Sequence, residues 1–223
     1  MTDPHCRLLL VPTDFEWSLV EPQLPATVRE AVNDENNGWR VARCGFGPIV
    51  AAATTSRLLA TFRPRDVLLL GIAGSYSDRA AVGAAVGFRS VVQYGVGAGS
   101  GAAHQSMQQL GWVPLAELNG MSNVDRFELK AGSFAQPHAA AGPLVTVCSA
   151  SADQHDVQQR LQIWPDAVAE DMEGYAVALA CHLAGIPLQI VRGISNRAGD
   201  RDKTRWQIGP ALQAAVAAVE WGD

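Results

Sequence analysis

Short apolar runs alternate along the chain with longer segments whose apolar positions recur at helical spacing, which predicts a three-layer α/β domain around a largely parallel sheet. Strands are expected at 7–12, 40–44, 66–71, 88–94, 144–148 and 188–194, and helices at 15–32, 48–62, 152–163, 172–184 and 210–221. Pro48 after Gly47 suits a first helical turn, and Gly185 with Pro187 stops the helix that ends at Ala184. From 80 to 140 the periodicity fades, and the glycine-rich run from Gly95 to Ala103 predicts an irregular insertion. With no repeat and no Pro/Ser linker, a single domain over 1–223 is expected.

Hydrophobic residues make up 48% of the chain and charged ones 17%, a balance that fits a folded core and excludes a disordered tail. A formal charge of -5 with no Lys/Arg run argues against nucleic acid or an anionic membrane as partner and favours a small molecule. The apolar run 8–11 is too short for a signal core or a membrane span, so a cytoplasmic location is expected. Cys6, Cys44, Cys148 and Cys181 lie far apart in apolar settings and read as buried free thiols. The five histidines, His155 and His182 among them, form no ligand set, so neither metal nor cofactor is expected.

Four clusters fall at the ends of predicted strands, where parallel sheets bind ligands. Pro12-Thr13-Asp14-Phe15-Glu16 follows the first strand; Glu16 can polarise a water, or Asp14 and Glu16 can simply face a helix dipole. Gly71-Ile72-Ala73-Gly74-Ser75 either lets backbone N–H groups approach a ligand or forms an ordinary tight turn. It is not a P-loop, and Gly45-Phe46-Gly47-Pro48 is not a dinucleotide motif. Asp171-Met172-Glu173-Gly174 opens a helix and offers acids to a diol such as ribose, or dipole compensation alone. Ser195-Asn196 followed by Gly199-Asp200-Arg201-Asp202 offers an amide suited to a heterocycle edge and an acid that is a proton donor if buried, or a solvated partner of Arg201.

In this order the clusters resemble the nucleoside phosphorylase/nucleosidase superfamily. Ile194-Ser195-Asn196 with Gly199-Asp200-Arg201-Asp202 and Trp206 is most similar to its futalosine hydrolase branch. The resemblance implies an α/β/α fold with a mixed central sheet, a homo-oligomer, and an N-glycosyl hydrolase releasing a purine from futalosine in menaquinone biosynthesis. Alternatives are a methylthioadenosine/S-adenosylhomocysteine nucleosidase, a purine nucleoside phosphorylase, or a non-catalytic nucleoside-binding protein. The phosphorylases' Gly-Asp-Pro-x-Arg loop is absent, and Leu69 stands where they carry a phosphate-binding Arg, so water is the expected nucleophile. Asn196 replaces the aspartate usual in methylthioadenosine nucleosidases, which favours an oxopurine. The roles implied are Glu16 for water, the backbone of Ala73, Gly74 and Ser75 for water or ribose, Met172 for substrate contact, Glu173 for the ribose hydroxyls, Asn196 for the base, and Asp200 as proton donor.

Overall fold

The computed structural model describes residues 6–30, 38–118, 121–129 and 142–221. Its strands are β1 (Arg7–Val11), β2 (Trp39–Arg43), β3 (Asp66–Ser75), β4 (Ala85–Phe88), β5 (Ser90–Tyr94), β6 (Gly97–Ala98), β7 (Gln105–Ser106), β8 (Arg126–Glu128), β9 (Leu144–Val147), β10 (Ala169–Asp171) and β11 (Leu188–Arg197). The helices are α1 (Asp14–Val20), α2 (Ala26–Glu30), α3 (Pro48–Phe62), α4 (Gln154–Ile163), α5 (Gly174–Ala184) and α6 (Ile208–Ala217). All strands but the β6–β7 ribbon join one sheet in the order β2-β1-β3-β10-β9-β5-β8, with β11 between β3 and β4. Most pairings are parallel, whereas β10 with β3, β11 with β4, and β5 with β8 are antiparallel. The sheet is therefore mixed.

Alternation along the central strands sorts the core into two layers. Leu8, Leu10, Val67, Leu69 and Ile190 join one cluster with α3 and α5, and Leu9, Val11, Leu68, Leu70 and Val191 join the other with α1 and α6. Strands buried on both faces read as unbroken apolar runs, which explains why they were legible. Gly193 permits the α6 contact, since a Cβ there would lie 2.1 Å from the Ala211 carbonyl oxygen. No described helix is long and apolar enough to cross a membrane.

Several boundaries differ from the sequence reading. The helix expected at 15–32 breaks into α1, a 3-10 turn at Glu21–Gln23 and α2, because Pro22 and Pro25 lack the N–H a continuous helix needs; positions 31 and 32 lie outside the described residues. The strand expected at 88–94 is two strands cornered at Arg89, one pairing β11 and the other β9. The helix expected from 172 begins at Gly174, after the short strand β10 that the sequence reading missed. Cys6, Cys44 and Cys181 are buried thiols, but Cys148, just past the end of β9, is exposed.

Candidate active site

A cleft of about 610 Å³ opens at a change of partner along β3. β1 pairs β3 as far as Leu10 opposite Leu69, and β10 takes up the same side from Glu170 opposite Gly74. Between them the Ile72 N–H is left to a side chain, and donates to Glu16 Oε1 at 3.0 Å. The Gly71–Ser75 sequence is thus the continuation of β3 rather than a turn. Ala73 and Gly74 line the cleft; Ser75 does not, its hydroxyl accepting from the Arg197 guanidinium at 3.3 Å.

Glu16 reaches this gap because Thr13 caps α1. Thr13 Oγ1 accepts from Glu16 N at 3.1 Å and donates to Glu16 Oε2 at 2.7 Å. The Thr-x-x-Glu spacing has the form of a capping box, so the turn that starts the helix also aims its acid. Burial pushes the Glu16 carboxyl above the ordinary carboxylate value, opposed by the Thr13 bond, the Arg192 charge and the Ile72 N–H.

Glu173 enters the cleft from the N-cap of α5. It accepts from the Gly47 N–H at 3.0 Å through Oε1 and faces Arg192 Nη2 at 3.4 Å through Oε2. Gly47 adopts φ +81°, a conformation that favours glycine and directs its N–H at the acid. Burial, reinforced by Asp171 and opposed by Arg192, pushes the Glu173 carboxyl up to about 7. Asp171 performs the dipole role anticipated for this cluster: it accepts from the Gly174 N–H at 2.9 Å and from Thr146 Oγ1 at 2.7 Å. Met172 lines the cleft between the two acids.

Arg192 underlies all three carboxylates and was missed by the sequence reading. Fully buried on β11, it donates to Asp171 Oδ2 from Nε at 3.1 Å and from Nη2 at 2.5 Å, while Nη1 has no hydrogen-bond partner among the described residues. The available signal was a lone charge inside the apolar strand Leu188–Arg197. Gly71 leaves room for it: a Cβ would lie 2.2 Å from Arg192 Nη1 and 2.8 Å from Glu16 Oε1. Gly71→Ala is expected to cost about 1–3 kcal/mol of stability, as overpacking does, and to lower turnover by displacing both groups. Urea unfolding alongside steady-state kinetics checks both effects.

Asn196 is presented by a bulge. The register of β11 against β3 shifts between Ile194 opposite Ala73 and Asn196 opposite Gly74, leaving Ser195 as the extra residue. Asn196 Oδ1 accepts from Ser195 Oγ and Nδ2 donates to the Arg197 carbonyl, both at 2.7 Å. One amide N–H and one lone pair remain for a ligand. Asp200, expected as proton donor, is not brought to the cleft: its carboxylate accepts from Arg205 at 2.7 Å and from the Asp202 N–H at 3.0 Å. Arg201, the partner anticipated for it, instead stacks on Trp206 at 5.2 Å.

Glu170 closes the inner end, held by Ser151 N and Oγ at 2.8 and 2.6 Å and by the Tyr76 hydroxyl at 3.0 Å. The inner wall thus carries four buried acids against two buried cations that are already engaged, Arg192 with Asp171 and Glu173 and Arg160 with Glu170 at 3.5 Å. Leu69, where a phosphate-binding Arg was sought, is fully buried in the core. Such a wall repels a phosphate dianion and suits the hydroxyls of an uncharged sugar and a cationic sugar transition state.

The protein is an α/β/α fold with a mixed sheet and an acid-lined cleft at a strand switch. The Phosphorylase superfamily model matches residues 35–220, and the chain belongs to that family. It is 31% identical to the futalosine hydrolase of Streptomyces coelicolor, over 82% of this chain and 77% of that protein. To a 5'-methylthioadenosine/S-adenosylhomocysteine nucleosidase of Shewanella baltica it is 28% identical, over 72% of this chain and 67% of that one. Among solved structures, the futalosine hydrolase of Helicobacter pylori superposes with a TM-score of 0.70 at 16% identity, covering 96% of this chain and 95% of that one. The adenine complex of the Colwellia psychrerythraea methylthioadenosine/S-adenosylhomocysteine nucleosidase gives 0.70 at 19% identity, covering 97% and 92%.

Proposed function

We propose that the protein hydrolyses futalosine to hypoxanthine and the free ribosyl product, in menaquinone biosynthesis. The broader activity, N-glycosyl hydrolysis of purine nucleosides, follows from its relatives on both the futalosine and the methylthioadenosine side. The observation that carries the finer reading is Asn196, an amide rather than an acid, at the position presented to the base.

In this mechanism the glycosidic bond lengthens first and positive charge gathers on the ribose. Glu173 holds the ribose hydroxyls and stabilises that charge, while Glu16 takes a proton from the water whose oxygen bonds to ribose carbon 1. The bonding pair leaves with the purine. An oxopurine accommodates it better than an aminopurine, so Asn196 needs only to donate a hydrogen bond, and the base takes up through water the proton that Glu16 accepted, which returns Glu16 to its ionised form. With Asp200 committed to Arg205, no buried acid beside Asn196 is required.

Incubation with futalosine, aminofutalosine, methylthioadenosine and inosine, with and without phosphate, tests the reading by the base released. Hypoxanthine from futalosine at a rate indifferent to phosphate is expected. Faster adenine release from methylthioadenosine, or a phosphate requirement, overturns it. Asn196→Asp is expected to shift the preference toward aminopurines by tenfold or more, about the value of one charged hydrogen bond. An unchanged ratio of hypoxanthine to adenine release removes Asn196 from base reading.

A further inference from the structure

The cleft has two electrostatic ends. Its inner wall holds Glu16, Glu170, Asp171 and Glu173, whereas Arg201 and Lys203 line it from the loop after β11. The same cleft is lined by the apolar side chains of Phe15, Phe46, Trp206 and Ile208, the last two on the segment that carries the cations. Phe15 and Phe46 are 60% and 63% exposed.

The two cations are left over from the loop's own pairing. Arg205 takes Asp200 at 2.7 Å and Asp202 at 3.3 Å, so the loop's acids are engaged. Among the described residues, neither Arg201 nor Lys203 has a carboxylate within ion-pair distance. The loop is nevertheless held in shape. Trp206 Nε1 donates to the Asp200 carbonyl at 3.0 Å, Asp202 caps the 3-10 turn Lys203–Arg205, and the Arg201 guanidinium stacks on the Trp206 ring. Two exposed cations, Arg201 stacked on Trp206 and Lys203 two residues on, in a cleft with apolar lining fit an anionic group at the end of an apolar arm.

We infer that Arg201 and Lys203 bind a carboxylate at the end of the group attached to ribose carbon 5, and so select nucleosides with an acidic, apolar arm. This rests on the nucleosidase reading, in which Glu173 takes the ribose and Asn196 the base, leaving the aromatic end for the arm. Futalosine ends in an aromatic carboxylate; S-adenosylhomocysteine ends in an aliphatic amino acid; methylthioadenosine has no charge there. The three substrates separate the possible sources of the anion.

The test compares kcat/KM for futalosine with that for its methyl ester, in the unaltered protein and in Arg201→Gln/Lys203→Gln. A preference for the acid of about tenfold or more, typical of a charge-assisted contact, is expected to fall toward unity in the double variant. Because the ratio is taken within each protein, partial misfolding cancels, and Arg201→Lys is expected to retain most of the preference. A ratio near unity in the unaltered protein, or one that the double variant leaves in place, overturns the inference. If futalosine and its ester are both inert, the proposed function fails separately. The inference is then read from S-adenosylhomocysteine against methylthioadenosine: a preference lost in the double variant supports it, and its absence or persistence overturns it.

Discussion

Replacing Glu16 with glutamine is expected to lower kcat by roughly 10²–10⁴-fold, the usual contribution of a positioned general base, while KM changes little. Glutamine keeps a carbonyl oxygen for the Ile72 N–H, which now sits 3.0 Å from Glu16 Oε1, so the β3 gap and the α1 cap survive. The variant removes the capacity to accept a proton, together with the charge facing Arg192 and the oxygen that accepts from Thr13 Oγ1. Normal turnover would take water activation away from Glu16. The pH profile gives a second reading of the same site. Glu16 must be ionised to act as base, and Glu173 must be ionised to stabilise a ribosyl cation. Burial raises both, Glu173 to about 7, so kcat/KM is expected to fall on the acid side of about pH 7 as the site takes up a proton. Both carboxyls contribute to the limb, and Glu16→Gln is expected to move it.

The second large effect is on stability. Arg192→Met leaves Asp171 and Glu173 buried without their cation and is expected to cost about 3–5 kcal/mol, the range for breaking a buried ion pair from one side. The arginine is fully buried and its contacts to Asp171, at 3.1 and 2.5 Å, have no solvent alternative. Linkage gives the loss a pH signature. A carboxyl whose folded pKa is raised, as for Glu173, binds its proton more tightly when folded, so its contribution favours folding below the ordinary value of 4.5 and weakens as pH rises to about 7. Without the guanidinium that upward shift grows. The deficit of the variant, measured by urea unfolding, is therefore expected to be larger at about pH 8 than at about pH 5. A deficit independent of pH would mean that Arg192 acts through packing alone.

The central strands and α3 were readable because both faces of β1, β3 and β11 are buried, which leaves continuous apolar runs in the sequence. β10 was not, because its three residues Ala169–Asp171 are mostly acidic and become a strand only by pairing β9 and β3. In the same way the Gly71–Ser75 segment looks like a turn by composition, and is strand because β11 runs alongside it to Arg197. Local glycine content predicts flexibility; a neighbouring ladder removes it.

The site divides along the same line. By itself the sequence determined which chemistry is present: Glu16 in a Thr-x-x-Glu turn, Glu173 at a helix start, an amide at Asn196, and Leu69 in place of a phosphate-binding cation. The first three follow from residue type and local punctuation, which act over a few positions, and the last from the family resemblance. Only the tertiary structure decided which groups meet. The switch from β1 to β10 opens the cleft, and the bulge at Ser195 turns Asn196 toward it. Arg192 joins the acids from a strand that reads as core, whereas Asp200 is drawn away by Arg205. Each of these outcomes depends on charges and strand partners separated along the chain, and their distances are set by the sheet.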